Sequence, residues 1–487
     1  MILDPAQAAL WLGEAGGHVP VPLRRRDTAR LLWLNTAAAA AIDPAWTRLG
    51  RSADAYARHL MERCAWTVCE PGQPAQAIGD ADRYGGSGIG HNGGSGRAVV
   101  FDGYHLKGVG RTPLVSAGTP RSHAAGGAYL EEAVRETVFA EIVGQRFPHS
   151  AVPTLALIDL GEVQDWQTDW SPRRERRVLL VRPAALRPAH FERAAGAVSA
   201  APEAAQADCR RVEAMFALAL AQWGADDLLQ HFQRLWRRWA EQLAFGFVHR
   251  ITHGNHTSSN IALDGRLLDF GASSALPTWA PCATTRQPQG WSSGLGALCE
   301  AIRSHAHHLA RHVDPRLDDA GTVHAWQHQA RAGFQQGLCE SFLGAVTEPG
   351  ESTRLDGREV TRALWPLLHR VLRHFDAEPG VDMLESTPQP RLVLDLARFW
   401  DADPPSHWLA LQAAVRALGC PARPMVADEA DWRRLCFPEL KRALFAALDG
   451  SENDGPAPTA EAVGRVLSEH VACGLRLLPA RPVPVRA

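Results

Sequence analysis

The feature that most constrains the fold of this chain is a tight turn. Within Thr252–Gly271, THGNHTSSNIALDGRLLDFG, two short apolar-rich runs, Ile261–Leu263 and Arg266–Leu268, are separated only by Asp264-Gly265. That pair favours a type I′ hairpin turn, whose two central residues both need φ > 0. A two-residue turn fixes the register. Leu263 then faces Arg266, Ala262 faces Leu267, Ile261 faces Leu268, and Asn260 is expected opposite Asp269, with Cβ atoms roughly 4.5–5.5 Å apart. A carboxamide oxygen and a carboxylate converge in such an arrangement. Hard oxygen ligands of this kind, completed by water and phosphate oxygens, suit Mg²⁺ or Mn²⁺. Asn260 and Asp269 are therefore the candidate metal ligands.

A second Asp-Gly pair, Asp102-Gly103, separates Arg97–Phe101 from Tyr104–Gly108. It predicts another hairpin, in which Lys107 faces Ala98 and has Arg97 as a near neighbour. This hairpin follows directly on Tyr84–Gly96, YGGSGIGHNGGSG, with seven glycines among residues 85–96, too many for the interior of a helix or strand. Loops of this composition bring backbone N–H groups around phosphate oxygens. A flexible linker is the competing reading, because neither GxGxxG nor GxxxxGKS/T spacing fits. A strand lysine just after such a loop is where kinase-like lobes keep the side chain that pairs with phosphates.

Composition adds weight to Lys107. Of 51 lysines and arginines only two are lysines, Lys107 and Lys441, and a chain so biased keeps a lysine where a planar guanidinium does not replace a compact ammonium. Asparagine is also scarce, and three of the five, Asn92, Asn255 and Asn260, fall in the two stretches above. The next segment, Gly127–Phe147, has helical periodicity. Leu130, Val134, Val138 and Ile142 form one stripe, and Ala133, Ala140, Val143 and Phe147 cluster near Glu136 on another side. A helix apolar on most sides is buried, so a glutamate on it needs a cationic partner. Glu136 and Glu141 both qualify as the partner of Lys107, and periodicity does not choose between them.

Elsewhere the sequence is less specific. Residues 1–82 are expected to be mainly helical, given the alanine run at 37–41 and a helix-compatible stretch at 54–64. Val152–Leu160 and Arg177–Pro183 read as strands, with Pro153 at an edge or strand start, and RRERR at 173–177 as an exposed loop. Helical patterns at 204–223 and 226–247 lead to His253. Residues 277–294 are loop-like, and the remainder is helical. His305, His308 and His312 share one helix face, and His324 and His328 another. Without a carboxylate motif such as HExxH, packed or solvated histidines are expected rather than a metal site. A net charge of −2 gives no global basic field, which argues against broad nucleic-acid binding. No run of about 18 apolar residues and no leader-like start occur, so a cytoplasmic protein without a membrane span is expected. Nine cysteines with no CxxC predict reduced, mostly buried thiols.

Taken together, these stretches resemble the selenoprotein O proteins, kinase-like folds that transfer AMP rather than phosphate to protein hydroxyls. The likeness covers about 84 to 276. It rests on Gly94, Gly96 and Arg97 at the loop end, KGVGRTP from Lys107 to Pro113, Arg135-Glu136, Arg182 and Arg187 before Phe191-Glu192, His253-Gly254, Asn260, and Asp269 of the Asp269-Phe270-Gly271 triplet. It implies an α+β chain with a protein-kinase-like two-lobed core and a large helical C-terminal part. The implied segments are 1–82, an N-lobe over 83–188, a C-lobe with the metal-binding hairpin over 189–280, and a helical region over 281–487. The resemblance also implies that Gly94, Gly96, Arg97, Lys107, Gly126, Arg182, Arg187 and Asp269 contact ATP. Of these, Lys107, Arg182 and Arg187 hold the triphosphate; Glu136 orients Lys107, and Asn260 and Asp269 bind the metal.

The chain departs from that pattern at two acids. Where the family has a base Asp directly before the metal-binding Asn, this chain has Ser259, and another nucleotide-contacting Asp is replaced by Ala125. GGSGIGHNGGSGR and KGVGRTPL are most similar to the MchC-like branch, which is associated with maturation of microcin-type peptides. That likeness implies a peptide or protein substrate and a partner maturation enzyme. The loop also resembles that of the aminoglycoside phosphotransferases, in which an Asp follows His-Gly as base; here Asn255 takes that place. Three readings follow for a catalytic set of Lys107, Glu136 and Ser259: AMP transfer, phosphate transfer, and a silent nucleotide-binding pseudokinase. A carboxylate acceptor needs no base, because with a pKa of roughly 3.3–4.3 it is already ionised at neutral pH. Activation of a peptide carboxylate is therefore one expected form of AMP transfer, and its rival is ordinary transfer to a hydroxyl with Ser259 or a bound water in place of the Asp.

Overall fold

The computed structural model describes residues 5–16, 18–86, 93–94, 96–115, 124–167, 172–194, 202–283, 289–347, 354–378, 380–383, 406–420, 429–449 and 458–481. Much of the glycine-rich stretch, 87–92 with Asn92 and position 95, lies outside the described residues.

The chain opens with helix α1 (Pro5–Glu14), strands β1 (His18–Arg25) and β2 (Arg30–Leu34), helices α2 (Thr36–Ile42), α3 (Pro44–Arg48) and α4 (Ala53–Cys64), and strands β3 (Trp66–Val68) and β4 (Ala77–Asp82). Residues 1–82 are therefore mixed rather than mainly helical: all four strands join the main sheet. Pro20 and Pro22 hid β1, because proline lowers the expectation of a strand, yet Val21 and Leu23 in that strand are fully buried.

Next come β5 (Ala98–Phe101), β6 (Tyr104–Lys107), β7 (Ala128–Tyr129), helix α5 (Leu130–Arg146), β8 (Ala156–Gln167) and β9 (Pro172–Pro183). The nine strands form one antiparallel sheet in the order β2-β8-β9-β6-β5-β4-β1-β3, with β7 paired to β9. Asp102 and Gly103 have φ of 53° and 82°, as a type I′ turn requires, and the register is the expected one, Ala98 opposite Lys107. β8 and β9 extend further than their apolar runs. The 173–177 stretch belongs to β9 and is not a free loop: Arg176 reaches Asp159 at 3.4 Å and Arg177 reaches Glu162 at 3.0 Å. Pairing with acids on β8 is what permits a basic strand there.

Both faces of the sheet are covered, which accounts for the unbroken apolar run at 178–181. Val178 and Leu180 face one core with α5 and the helices that follow, whereas Leu179 and Val181 face the other with α2–α4. Lys107 sits opposite Leu180 and His105 opposite Arg182. By the two-residue alternation of a strand, His105, Lys107 and Arg182 all project toward α5.

Helix α6 (Pro202–Val248) is broken at Gly224, where φ is 77°. It leads into the short pair β10 (Ile251–Thr252) and β11 (Ser274–Ala275), then β12 (Cys282–Ala283) and helices α7 (Ser293–His312), α8 (Ala320–Val346) and α9 (Gly357–Asp376). Strand β13 (Val381–Asp382) runs parallel to β12, and α10 (Ser406–Ala417), α11 (Glu429–Leu435), α12 (Phe437–Leu444) and α13 (Ala460–Leu477) complete the chain. No helix among the described residues is long and apolar enough to cross a membrane. The cysteines are free and mostly buried. His305 and His308 are buried on α7, and among the described residues no group of three or more His, Cys, Asp or Glu side chains is placed to hold a metal ion.

Candidate functional site

α5 and the sheet hold a buried cluster of opposite charges between them. Lys107 Nζ donates to Glu136 Oε2 and to Asp269 Oδ1, each at 2.6 Å, and lies 3.7 Å from Glu132 Oε1. Arg182 Nη1 donates to the other oxygen of Glu136 at 3.0 Å, and Arg97 clasps Glu132 with two bonds of 2.6 and 3.1 Å. The choice left open between two glutamates is thereby made. Glu141 turns away and accepts from Asn35 Nδ2 at 2.6 Å, on a part of the chain whose sequence carries no sign of that pairing.

The cluster meets solvent through Asp269 and Glu132. The Lys107 and Glu136 side chains are 3 % and 2 % exposed, whereas Asp269 is 29 % and Glu132 18 % exposed. Burial opposes charge on Lys107, but Asp269 and Glu136 outweigh it and raise its pKa above the usual lysine value. Burial likewise acts to raise Asp269, yet Lys107, Arg182 and Arg97 hold its carboxyl well below the ordinary carboxylate range.

Below this lies a second layer that the sequence did not announce. Asp82 accepts from His190 Nε2 at 2.9 Å and sits 3.6 Å from both Arg187 Nη2 and His105 Nε2. The His105 ring is held between two guanidinium groups, with Arg182 Nε 3.3 Å from its Nδ1 and Arg187 Nη2 3.3 Å from its Nε2. Arg187 donates to the Ser259 carbonyl at 2.7 Å, and its guanidinium stacks over Tyr84 at 4.6 Å. Asp82, His105 and Glu132 were missed, although two had a signal. His105 lies two residues before Lys107 on a strand, and Glu132 one helical turn before Glu136, so each shares a face with a residue already singled out.

The Asp264-Gly265 hairpin has a different register from the one expected. Ile261 bridges Leu267, Ala262 N–H donates to Arg266 O at 2.8 Å, and Leu268 N–H donates to Asn260 O at 3.1 Å. The loop is therefore three residues long, with Gly265 at φ 91°, a turn followed by a left-handed residue. Asn260 consequently lies opposite Leu268 and not Asp269. Two outside bonds favour the longer loop: Leu263 N–H donates to Leu186 O at 2.8 Å, and Arg238 donates to the Asp264 carbonyl at 2.7 Å. Asp269 reaches Lys107 through its own backbone, which is left-handed at φ 67°, a conformation uncommon outside glycine but tolerated by Asp.

The loop before the hairpin is pinned by its own backbone. Gly254 has φ 77°, and a Cβ there would fall 2.2 Å from the Ala272 carbonyl, so no other residue fits. His253 Nε2 donates to Leu268 O at 2.9 Å, which makes this ring a brace for the 268–270 segment. Asn260 Nδ2 donates to Asn255 O at 2.9 Å, so its Oδ1 is the oxygen left for other contacts, with Ser259 Oγ at 3.5 Å. Ser259 Oγ also bonds Thr257 Oγ1 at 2.8 Å. Gly94, Gly96 and Gly126 have φ of 88°, 74° and 75°, and a Cβ at each would meet another part of the chain at 2.0–2.4 Å. Close packing in left-handed backbone is enough to require glycine at all three.

The C-terminal helices reach this site from behind. Arg135 donates to the Gly271 carbonyl, pairs with Glu131 at 2.8 Å and stacks over Phe437 at 4.6 Å. Trp432 Nε1 donates to Leu276 O at 2.6 Å and Phe437 N–H to Ser274 Oγ at 2.9 Å. Helices α11 and α12 thus clamp the segment that follows Asp269.

Two features fit an anionic ligand with a hard cation. Arg97 Nε and Arg187 Nε, like the Nε of several other arginines, are buried donors without a partner among the described residues, and an anion at this site would bond these two. One carboxylate and one carboxamide are a sparse set, but Mg²⁺ is commonly held by one or two carboxylates with water and substrate phosphates. No protein-family model matches this chain, and a search of curated proteins found no match.

Proposed function

We propose that the protein uses ATP and Mg²⁺ or Mn²⁺ to transfer AMP to a peptide or protein, from a protein-kinase-like core resembling the selenoprotein O proteins. One observation carries this reading: Lys107 is paired with Glu136 of the packed helix at 2.6 Å, with the Asp of an Asp-Phe-Gly triplet next to it, the lysine–glutamate pair and the metal-binding aspartate that phosphate-transferring kinase-like sites require. ATP supplies the adenylyl group, with pyrophosphate as leaving group. Lys107, Arg182, Arg187 and Arg97 supply cations for the phosphates, Glu136 fixes the amine of Lys107, and Asn260 Oδ1 with the Asp269 carboxylate is the oxygen pair for the metal. ATP with Mg²⁺ at about 100 times its Kd is expected to stabilise the protein by about 2.7 kcal/mol, seen as a raised melting temperature. Asp269→Ala abolishes that rise; no shift in the unaltered protein sinks the reading.

The acceptor follows from Ser259. A serine hydroxyl bonded to Thr257 and Asn260 is no base for deprotonating another hydroxyl, whereas a carboxylate arrives ionised. In this reading a peptide carboxylate oxygen forms the new bond to the α-phosphorus while the bond to pyrophosphate breaks. Positioning and charge neutralisation then supply the catalysis. The acyl-adenylate is consumed by a partner maturation enzyme or a second nucleophile. Hydroxylamine is expected to convert the AMP-bearing peptide to a hydroxamate. An adduct that survives treatment is a phosphodiester on a hydroxyl, and higher activity in Ser259→Asp points the same way.

A silent pseudokinase is the second reading, favoured by the direct Lys107–Asp269 contact at 2.6 Å, which engages the phosphate-binding and metal-binding groups with each other. ATP labelled in turn at the α and γ phosphates separates the readings. Label on the peptide from the α position supports AMP transfer, from the γ position phosphate transfer, and from neither the silent form.

A further inference from the structure

A pocket of about 390 Å³ lies beside the charge cluster, within the roughly 300–1,000 Å³ typical of ligand sites. Its floor is residues 184–186, the stretch between Arg182 and Arg187, although neither of those arginines lines it. Its walls come from α6 and from the tip of the 261–267 hairpin. Three arginines face one carboxylate here. Arg266 pairs with Asp264 at 2.8 Å, but Arg238 donates to the Asp264 backbone carbonyl at 2.7 Å, and Arg234 bonds Gln230 Oε1 at 3.3 Å and contacts His231 Nδ1 at 3.1 Å. Among the described residues the bonds of Arg234 and Arg238 go to neutral groups, so three cations less one anion leave the wall with two positive charges in excess. Trp223, tilted against His231 at a centroid distance of 4.5 Å, gives the pocket an aromatic side.

The spacing of the two arginines selects the ligand. Arg234 and Arg238 lie one turn apart on a helix, about 6 Å along its axis, and their guanidinium groups bond in different directions. An extended peptide places side chains i and i+2 on one side, about 6.6–6.8 Å apart. A single phosphate matches this less well, since it needs donors that converge on one point. We propose that this pocket docks an extended acidic peptide segment, whose carboxylates at i and i+2 are taken by Arg234 and Arg238. The pocket stands on its own residues; it rests on the AMP-transfer reading only for the use made of the bound segment. Leu263 at the hairpin tip bonds Leu186 on the floor at 2.8 Å, so the docked peptide lies on the element that carries Asn260.

Fluorescence anisotropy with the full chain tests this, using a labelled octapeptide centred on Glu-Leu-Glu. Arg234→Gln and Arg238→Gln are each expected to weaken binding roughly tenfold or more, the worth of a charge-assisted bond. The Gln-Leu-Gln peptide is expected not to bind, and added salt to weaken the complex. Arg234→Lys and Arg238→Lys, which keep the charge but lose the fork, are expected to fall between, so a variant that merely fails to fold is recognised. Unchanged affinity in the glutamine variants, equal binding of Gln-Leu-Gln, or displacement by equimolar inorganic phosphate overturns the proposal. Asp269→Ala keeps the two readings apart: the peptide is expected to bind this variant normally even though its ATP shift is gone.

Discussion

At pH 5 the protein is expected to be several kcal/mol less stable than at pH 7.5, through histidines that fold shut in their neutral form. Burial pushes His249, His256, His305 and His308 each down to about 3, with Arg250 adding to the effect at His249 and neighbouring histidines at His256 and His308. Below the ordinary histidine pKa of roughly 6.5 the unfolded chain takes up four protons that the folded chain refuses. Their contribution is therefore complete above about pH 6.5 and falls as the pH drops toward 3. At pH 5 each costs about 2 kcal/mol by linkage, about 8 together, against a total stability of order 5–15 kcal/mol. Glu141, Glu192 and Glu340, whose carboxyls burial pushes up, work the other way and offset part of this. Urea unfolding at the two pH values measures the difference. His249→Phe removes one titrating ring that packs on Phe245 at 4.3 Å and is expected to shrink the difference by about 2 kcal/mol. Equal stability at both pH values rules the account out.

What the sequence revealed depended on how local the deciding interaction is. Asp102-Gly103 was legible because both residues of a two-residue turn must adopt φ > 0, and that turn alone brings Lys107 opposite Ala98. The same dipeptide at Asp264-Gly265 misled by one residue. There the loop length is decided by Leu186 and Arg238, which are distant in sequence, and a one-residue slip moves every opposite pair. Asp269 still arrives at Lys107, through a left-handed backbone that no strand pattern encodes. The choice of Glu136 over Glu141 was likewise closed to periodicity, because Asn35, 106 residues away, claims Glu141. The lower layer of Asp82, His105 and His190 was hidden for another reason: charged residues read as surface by default, and only the parity of the strand hinted that His105 turns inward.

Glu136→Ala is expected to cost about 3–5 kcal/mol, the usual loss when one partner of a buried ion pair is removed. Among the described residues Glu136 is the one carboxylate that bonds both Lys107 and Arg182, at 2.6 and 3.0 Å. Without it Lys107 keeps Asp269, but Arg182 keeps only the neutral His105 ring among the described residues. A buried guanidinium is then left with no bonded carboxylate, only the field of Asp269, which it shares with Lys107 and Arg97, and the side chain, 5 % exposed, has little access to water. Lys107→Met is the informative contrast. Its loss leaves Glu136 still paired with Arg182, and leaves Asp269 29 % exposed and able to hydrate, so a smaller cost is expected. Chemical unfolding at pH 7.5 should therefore rank Glu136→Ala well below Lys107→Met in stability. Nucleotide binding should show the opposite emphasis, because Lys107 is the cation beside Asp269, where the cluster meets solvent, and Glu136 only orients it. If Lys107→Met proves the more destabilising change, Glu136 is not the centre of the buried network, and the lysine is held there for packing rather than for phosphate.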